Sequence, residues 1–240
     1  MEKLLEKTKL LDFNNETISH LIEERKWKNL DEKERIKQIY EFIRDEIQFG
    51  YNANDDMPAS MVLKEGYGQC NTKGILFMAI LRSVKIPCRI HGFIVDKIIQ
   101  KGTLTGLPYA LSPKELVHSW VELYYNGKWF NLEGFILDKL YLNKVQERFS
   151  NCNTGFCGFA VATKDLKNPQ IDWNENDTYI QNEGIIKDLG VFDTPDEFFS
   201  KYSQKLSPLK NFLFKNIGRH LMNMNVKKVR KQNRHITGDA

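Results

Sequence analysis

Cys70 has the sequence setting that is most typical of a nucleophile. It follows a loop containing Gly66 and Gly68 and begins a run whose apolar spacing predicts a buried helix. Unpaired amides and the macrodipole at a helix N-terminus stabilise a thiolate, the form that attacks a carbonyl. The same amides can bind the resulting oxyanion, and the two glycines would let the backbone approach a substrate. The alternative is an inert cysteine that begins a core helix.

A histidine and a glutamate are predicted to lie side by side on a downstream hairpin. Asn126-Gly127 is a strong signal for a two-residue turn. Such a turn pairs Trp120 with Glu133 and places both on the same face as His118. His118 and Glu133 then become diagonal neighbours, about 7–8 Å apart between backbones. A catalytic imidazole needs this arrangement, because one ring nitrogen exchanges a proton with the nucleophile while a carboxylate holds the other.

Each of these residues also has a structural interpretation. His118 alone could be a partly buried strand histidine, and Glu133 a solvated charge at a strand end. Trp120 could form a wall of an acyl pocket or fill the core beneath the sheet. The catalytic hypothesis depends on the combination of these residues with Cys70.

Four sequence motifs, in order, resemble those of the transglutaminase-like superfamily. Gly68-Gln69-Cys70 resembles its nucleophile motif at a helix start, and residues 86–92 (IPCRIHG) resemble the strand that follows that helix. Residues 118–122 (HSWVE) resemble its H-x-W-x-E strand, and residues 129–133 (WFNLE) its final strand, which ordinarily ends in an aspartate. The four motifs are specific together, and the resemblance covers roughly residues 31–138.

This resemblance implies a papain-like cysteine–histidine–acid triad on an α+β fold, with the nucleophile helix packed on an antiparallel sheet. It implies Cys70 as nucleophile, His118 as acid/base and Glu133 as the orienting acid. The Cys70 amide would be one oxyanion donor, and Gln69 or Tyr51 would be candidates for the second. The cysteine would be acylated by a peptide or other amide-containing substrate and would release the acyl group to water or an amine. This chemistry requires no metal and no organic cofactor.

Two departures from the family pattern leave alternatives open. Glu133 stands where aspartate is usual, and Asp138, five residues later, could orient His118 instead. Asn71-Thr72-Lys73 follows Cys70 in place of acidic or aromatic residues, which bears on substrate specificity. A transglutaminase-like binding module without catalysis is the alternative function.

The elements that must position these residues can be read from the same sequence. The spacing of apolar residues predicts a helix at residues 15–28 and a second helix that begins at Asp31, with Asp31 and Glu34 as a capping box. Residues 51–68 and 101–114 are predicted loops. The predicted strands are residues 88–95, 116–125 and 128–133.

A boundary is predicted near residue 150, where periodicity weakens. The catalytic core with its N-terminal helices would be residues 1–149, and residues 150–240 would be a C-terminal extension that packs on it. Within that extension, residues 195–199 and 206–224 are predicted helices, and residues 227–234 a basic tail.

Composition excludes some function classes. The 240 residues are 41% hydrophobic, enough for a sizeable core, and the formal charge of +4 gives no global polyelectrolyte character. We therefore expect no nucleic-acid partner, and the tail is most simply a solvated terminus. No membrane span and no signal peptide are expected, and four cysteines without a secretory signal favour a cytoplasmic location. Oligomeric state is not accessible from the sequence.

A zinc site is disfavoured by residue spacing. Cys88 and His91 are three residues apart, and Cys152 and Cys157 are five apart. Neither separation matches a typical zinc motif.

Overall fold

The helix that begins with Cys70, α4 (Cys70–Ser83), is central to the fold. In the computed structural model, which describes residues 1–204 and 206–231, every residue from Asn71 to Arg82 is buried. The helix ends before Lys85, whose φ of 68° is left-handed. Its burial on all sides agrees with the apolar arc in the sequence.

One face of α4 packs on a four-stranded antiparallel sheet. The strand order is β5-β4-β3-β8, with β3 Cys88–Asp96, β4 Glu115–Tyr125, β5 Lys128–Leu132 and β8 Ile185–Phe192. The predicted α+β fold, with a helix on an antiparallel sheet, is confirmed.

The β4–β5 hairpin has the predicted turn and register. Asn126 and Gly127 both have positive φ, 48° and 81°, which a two-residue hairpin turn of this twist requires. Tyr125 pairs with Lys128, and Val121 pairs with Leu132. The same register places His118, Trp120 and Glu133 on the face opposite Val121, and it is Val121 that contacts α4 at Gly74.

The two N-terminal helices begin as predicted. In α1 (Glu16–Glu24) the Asn15 side chain accepts the Thr17 amide, and in α2 (Glu32–Glu41) Asp31 accepts the Glu34 amide. The first helix is shorter than the predicted residues 15–28, because Lys26 is left-handed and a 3₁₀ turn follows.

The prediction that residues 51–68 form only a loop was wrong. They contain α3 (Ala59–Glu65), which packs on α4 and ends at left-handed Gly66. The flanking Pro58 and Gly66 mark the two ends of a helix here rather than a loop. After α3, β2 (Tyr67–Gly68) pairs in parallel with β1 (Gln48–Phe49) and leads directly into Cys70.

The predicted loop at residues 101–114 likewise contains a short helix, α5 (Gly106–Leu111). Further short elements complete the chain. These are α6 Lys139–Arg148, β6 Phe156–Gly158, β7 Val161–Thr163, 3₁₀ turns at Glu2–Leu5, Trp27–Asn29, Lys97–Gln100 and Asn182–Gly184, and a π-helical turn at Phe42–Glu46.

The C-terminal part is more helical than predicted. It contains α7 (Pro195–Lys201), α8 (Pro208–Leu213), a π-helical turn at Phe214–Gly218 and α9 (Arg219–Lys231). The basic stretch at residues 227–231 therefore belongs to α9 and is not a frayed tail. The remaining tail residues, 232–234, lie outside the described residues.

The segment after residue 150 makes strand pairings and hydrophobic contacts with the rest of the chain. Its strand β8 pairs with β3, and Thr178 forms a bridge with Leu132 of β5. One hydrophobic cluster includes residues from Leu10 to Val229. A division at residue 150 stays a prediction.

Candidate active site

Cys70 is the first residue of α4 and is half-buried. The turn before it is held by the Gln69 amide, which donates to Oγ1 of Thr72 at 3.1 Å. A Cβ at Gly68 would lie 2.6 Å from that Thr72 oxygen and 2.9 Å from Cγ of Lys73. Gly68 is thus required for close contact with its own helix. The expectation that it also lets the backbone approach a substrate stays a prediction.

His118 and Glu133 are bonded to each other in the interior. Nε2 of His118 donates to Oε1 of Glu133 over 2.8 Å, and the two side chains are only 1% and 0% exposed. With Nε2 held in this way, Nδ1 is the ring nitrogen left for Cys70. The tautomer that a catalytic imidazole needs is therefore fixed by the carboxylate.

The second oxygen of Glu133 is held by the backbone. Its Oε2 accepts the amides of Ile180 at 2.9 Å and Gln181 at 2.8 Å. The hydrogen bonds of these two amides to Glu133 could not be predicted from the sequence, because a backbone amide has no side-chain signature. Three hydrogen bonds thus fix the orientation of this buried carboxylate.

The electrostatics of His118 link it to Cys70. Burial alone would lower the pKa of the imidazole, but the charge of Cys70 and a hydrogen bond to its sulfur, together with Glu133, raise that pKa well above its ordinary 6.5. A protonated imidazole beside a sulfur favours the thiolate.

Asp138, the alternative orienting acid, is bonded elsewhere. Its carboxylate accepts the amides of Phe49 and Tyr141 at 2.8 and 2.9 Å and pairs with Arg230 of α9. It caps α6 and connects three parts of the chain, so Glu133 is the acid that the structure brings to His118.

The two oxyanion candidates both line the same cavity as Cys70. The side chain of Gln69 is fixed: Nε2 donates to Asp55 at 2.9 Å and Oε1 accepts the Asn52 amide at 2.9 Å. An amide nitrogen has two hydrogens, so one remains for a substrate. The Tyr51 hydroxyl lies 3.1 Å from Oγ1 of Thr103.

Trp120, the third substrate candidate, is part of the sheet packing and not of the cavity wall. Its ring lies 4.1 Å from that of Phe93 between centroids and also contacts His91 and Tyr179. These contacts support a packing role on the sheet face opposite α4.

The three residues after Cys70 have different surroundings. All three are buried, but Asn71 lines the cavity and Thr72 and Lys73 do not. Nζ of Lys73 donates to the carbonyls of Arg44 at 3.1 Å and Ile136 at 3.0 Å, and burial lowers the pKa of this amine to about 7. Lys73 therefore has a structural role and cannot contact a substrate.

The cavity has a volume of about 750 Å³, and Cys70 and His118 lie in its wall. Beyond them the wall is formed by the segment around α5 and by α7, α8 and α9. Residues of the C-terminal region thus enclose the candidate site rather than fill it.

All four cysteines are unpaired, and burial raises the pKa of the Cys88 thiol to about 11. Within residues 1–204 and 206–231 there is no group of three or more His, Cys, Asp or Glu side chains arranged to hold a metal ion. The same residues contain no helix that is both long and apolar enough to cross a bilayer.

Two solved structures are similar in part of the chain. A "Putative Cysteine Protease" from Cytophaga hutchinsonii is 12% identical, with a TM-score of 0.43 over 81% of this chain and 47% of its own. A transglutaminase from red sea bream is 16% identical, with a TM-score of 0.31 over 55% of this chain and 25% of its own. The chain thus spans less than half the length of either.

No curated protein matches the chain. The transglutaminase-like superfamily matches residues 21–134, which include Cys70, His118 and Glu133. Residues 21–134 are a transglutaminase-like superfamily core.

Proposed function

We propose that this chain is a thiol-dependent amide hydrolase or acyltransferase. The observation that carries the proposal is the position of His118, which interacts with Cys70 in the cavity wall and is hydrogen-bonded through Nε2 to the buried Glu133 carboxylate. The open cavity beside Cys70 gives a substrate access to this group.

The reaction would proceed in two halves. The Cys70 thiolate attacks the acyl carbonyl, the C–S bond forms, and protonated His118 gives its proton to the leaving amine as the C–N bond breaks. Neutral His118 then takes a proton from water or an amine, which attacks the thioester and returns the thiol. Glu133 keeps Nε2 of the imidazole bonded throughout and stabilises its charged form.

The oxyanion in each half needs donors at the helix start. The Cys70 amide is one candidate, because it lies in the first turn of α4, and the remaining Nε2 hydrogen of Gln69 is the other. We also propose that the protein is located in the cytoplasm, because its four cysteines are unpaired.

Alkylation by iodoacetamide tests the proposal against that of a non-catalytic binding module. Cys70 should react much faster than Cys88, Cys152 or Cys157, as followed by peptide mass spectrometry, and the His118→Ala variant should lose that difference. Release of p-nitrophenol from a short acyl ester should require Cys70 and be absent in Cys70→Ala. Equal alkylation rates at the half-buried Cys70, Cys152 and Cys157, with no ester cleavage, would refute an enzymatic role.

A further inference from the structure

The wall of the cavity beyond Cys70 is mostly apolar. Its lining includes Phe49, Tyr51 and Val117, together with side chains of α5 and of the C-terminal helices. The charged side chains among the described lining residues, besides His118, are Asp55, Asp56 and Lys210. A ligand in this cavity would therefore contact mainly hydrocarbon.

Large apolar side chains continue from this wall to the protein surface. Leu107 of α5 is 70% exposed and Leu209 of α8 is 68% exposed, and both line the cavity. Others that are exposed and also line it are Leu111, Leu213, Ile217 and Leu221. A large patch of exposed apolar side chains commonly marks a site that binds a ligand or a partner.

Several polar side chains in the wall are hydrogen-bonded within the protein. Gln204 accepts the Val117 amide at 3.1 Å and donates to the Glu115 carbonyl at 3.2 Å. Asn71 donates to the Val117 carbonyl at 3.2 Å, and its oxygen accepts the Ser119 hydroxyl at 2.8 Å. A buried peptide backbone would need partners for every N–H and C=O group, and part of the hydrogen-bonding capacity of these two side chains is already used within the protein. A hydrocarbon chain needs no hydrogen-bond partners.

We propose that this cavity takes a long hydrocarbon chain whose carbonyl carbon lies at the Cys70 sulfur, so that the substrate is a fatty-acyl amide, ester or thioester. The assignment of chemistry to Cys70 rests on the proposed function; the assignment of the ligand rests on the cavity. A volume of about 750 Å³ lies within the range of about 300–1,000 Å³ that is usual for a site enclosing one small molecule.

The covalent step balances without a further reactant. The thiolate adds to the acyl carbon, the bond from that carbon to the nitrogen, oxygen or sulfur of the head group breaks, and His118 protonates the departing head group. Water then hydrolyses the thioester, which yields a fatty acid and the free thiol.

Binding is tested without turnover. The Cys70→Ala variant is titrated with the fluorescent fatty acid cis-parinaric acid. Two double variants, which carry a second substitution in addition to Cys70→Ala, are titrated in the same way. Leu213→Glu places a charge in the apolar wall and should weaken binding at least about tenfold. The matched control is Phe212→Glu, because Phe212 is the neighbouring residue on α8, is 62% exposed and does not line the cavity. The control should change binding less than about twofold.

Turnover is tested with p-nitrophenyl esters of two to twelve carbons, each below its micelle concentration. The value of kcat/KM should rise about fourfold for each added CH₂ until the cavity is filled. Rising kcat/KM supports the proposal, and binding of cis-parinaric acid without any turnover supports the ligand while refuting the thiol chemistry.

Three outcomes overturn the inference. Ester cleavage with no dependence on chain length, together with no binding of cis-parinaric acid, would leave the proposed function intact and refute the hydrocarbon ligand. Equal loss of binding in Leu213→Glu and Phe212→Glu would show surface adsorption instead of binding in the cavity. Tight binding of an apolar hexapeptide to Cys70→Ala, with none of the fatty acid, would identify a peptide as the occupant.

Discussion

The Glu133 carboxylate accepts the backbone amide of Gln181 at 2.8 Å, although the two residues are 48 positions apart. The same carboxylate holds His118 through its other oxygen. The acid that orients the proposed catalytic imidazole is therefore fixed by a segment that lies beyond the family core. The geometry at Cys70 depends on both parts of the chain.

Replacing Glu133 by Gln should lower ester-cleavage kcat by about 10²–10⁴. The glutamine side chain has only one oxygen, and the backbone amides of Ile180 and Gln181 require that oxygen as their acceptor. The NH₂ group of the glutamine would therefore point at His118. The imidazole would then have to accept at Nε2 and protonate Nδ1, the wrong tautomer for Cys70. Measurement of kcat, with the ¹⁵N shifts of His118, checks this. Unchanged kcat with the tautomer reversed would contradict the proposed role of Glu133.

Replacing Asp138 by Asn should affect stability and not chemistry. Asp138 pairs with Arg230 in a largely buried setting, and removal of one partner of such a pair costs about 3 kcal/mol. Urea unfolding measures this loss, while the alkylation rate of Cys70 in the folded variant should match wild type. A selective loss of Cys70 reactivity would instead favour Asp138 as the orienting acid.

The Gly68→Ala variant should unfold at lower urea concentration by about 1–3 kcal/mol and should alkylate more slowly at Cys70. The added Cβ would lie within 3 Å of two buried side chains and displace the turn before the helix. Gly66 provides the matched control, since its φ of +69° is left-handed but nothing lies within 4 Å of the added Cβ. Gly66→Asn, which tolerates that φ, should leave alkylation unchanged. Equal alkylation rates in Gly68→Ala and wild type would count against the positioning role of Gly68.

His91 should contribute a pH-dependent stability on the outer face of the sheet. Burial lowers the pKa of its imidazole, but hydrogen bonds to Glu122 and Asp188 outweigh this and raise the pKa above 6.5. A raised folded-state pKa adds stability that is complete below the unfolded value of about 6.5 and is lost as pH rises through the folded value.

The test compares wild type with His91→Gln by urea unfolding between pH 5.5 and pH 9. The comparison is needed because His118 and Lys73 also titrate differently in the folded and unfolded states. The stability difference between the two proteins should shrink as pH rises. A constant difference would mean that the His91 ion pairs contribute no charge-dependent stability.

The sequence was most informative where a local rule fixes long-range geometry. Asn126-Gly127 determines the turn, the turn determines the register, and the register places His118 beside Glu133. The position of Cys70 at a helix start follows in the same way from apolar spacing.

The remaining features depend on tertiary contacts that leave no local pattern. The helix α3 was hidden by its short length and by flanking Pro58 and Gly66, which also occur in loops. The extension of α9 to Lys231 follows from its packing on the core rather than from its basic composition. The amides that hold Glu133 belong to Ile180 and Gln181, whose side chains give no indication of this role.

The helix α9 also connects to the segment beside the candidate site. Asn223 accepts the backbone amide of Tyr51 at 2.8 Å and donates to its carbonyl at 3.0 Å, while Arg230 pairs with Asp138. Translation produces Cys70, His118 and Glu133 long before these partners. A ribosome-bound chain thus carries all three reactive groups before the helix that completes their enclosure, and the thiol acquires its final surroundings only after α9 has been synthesised.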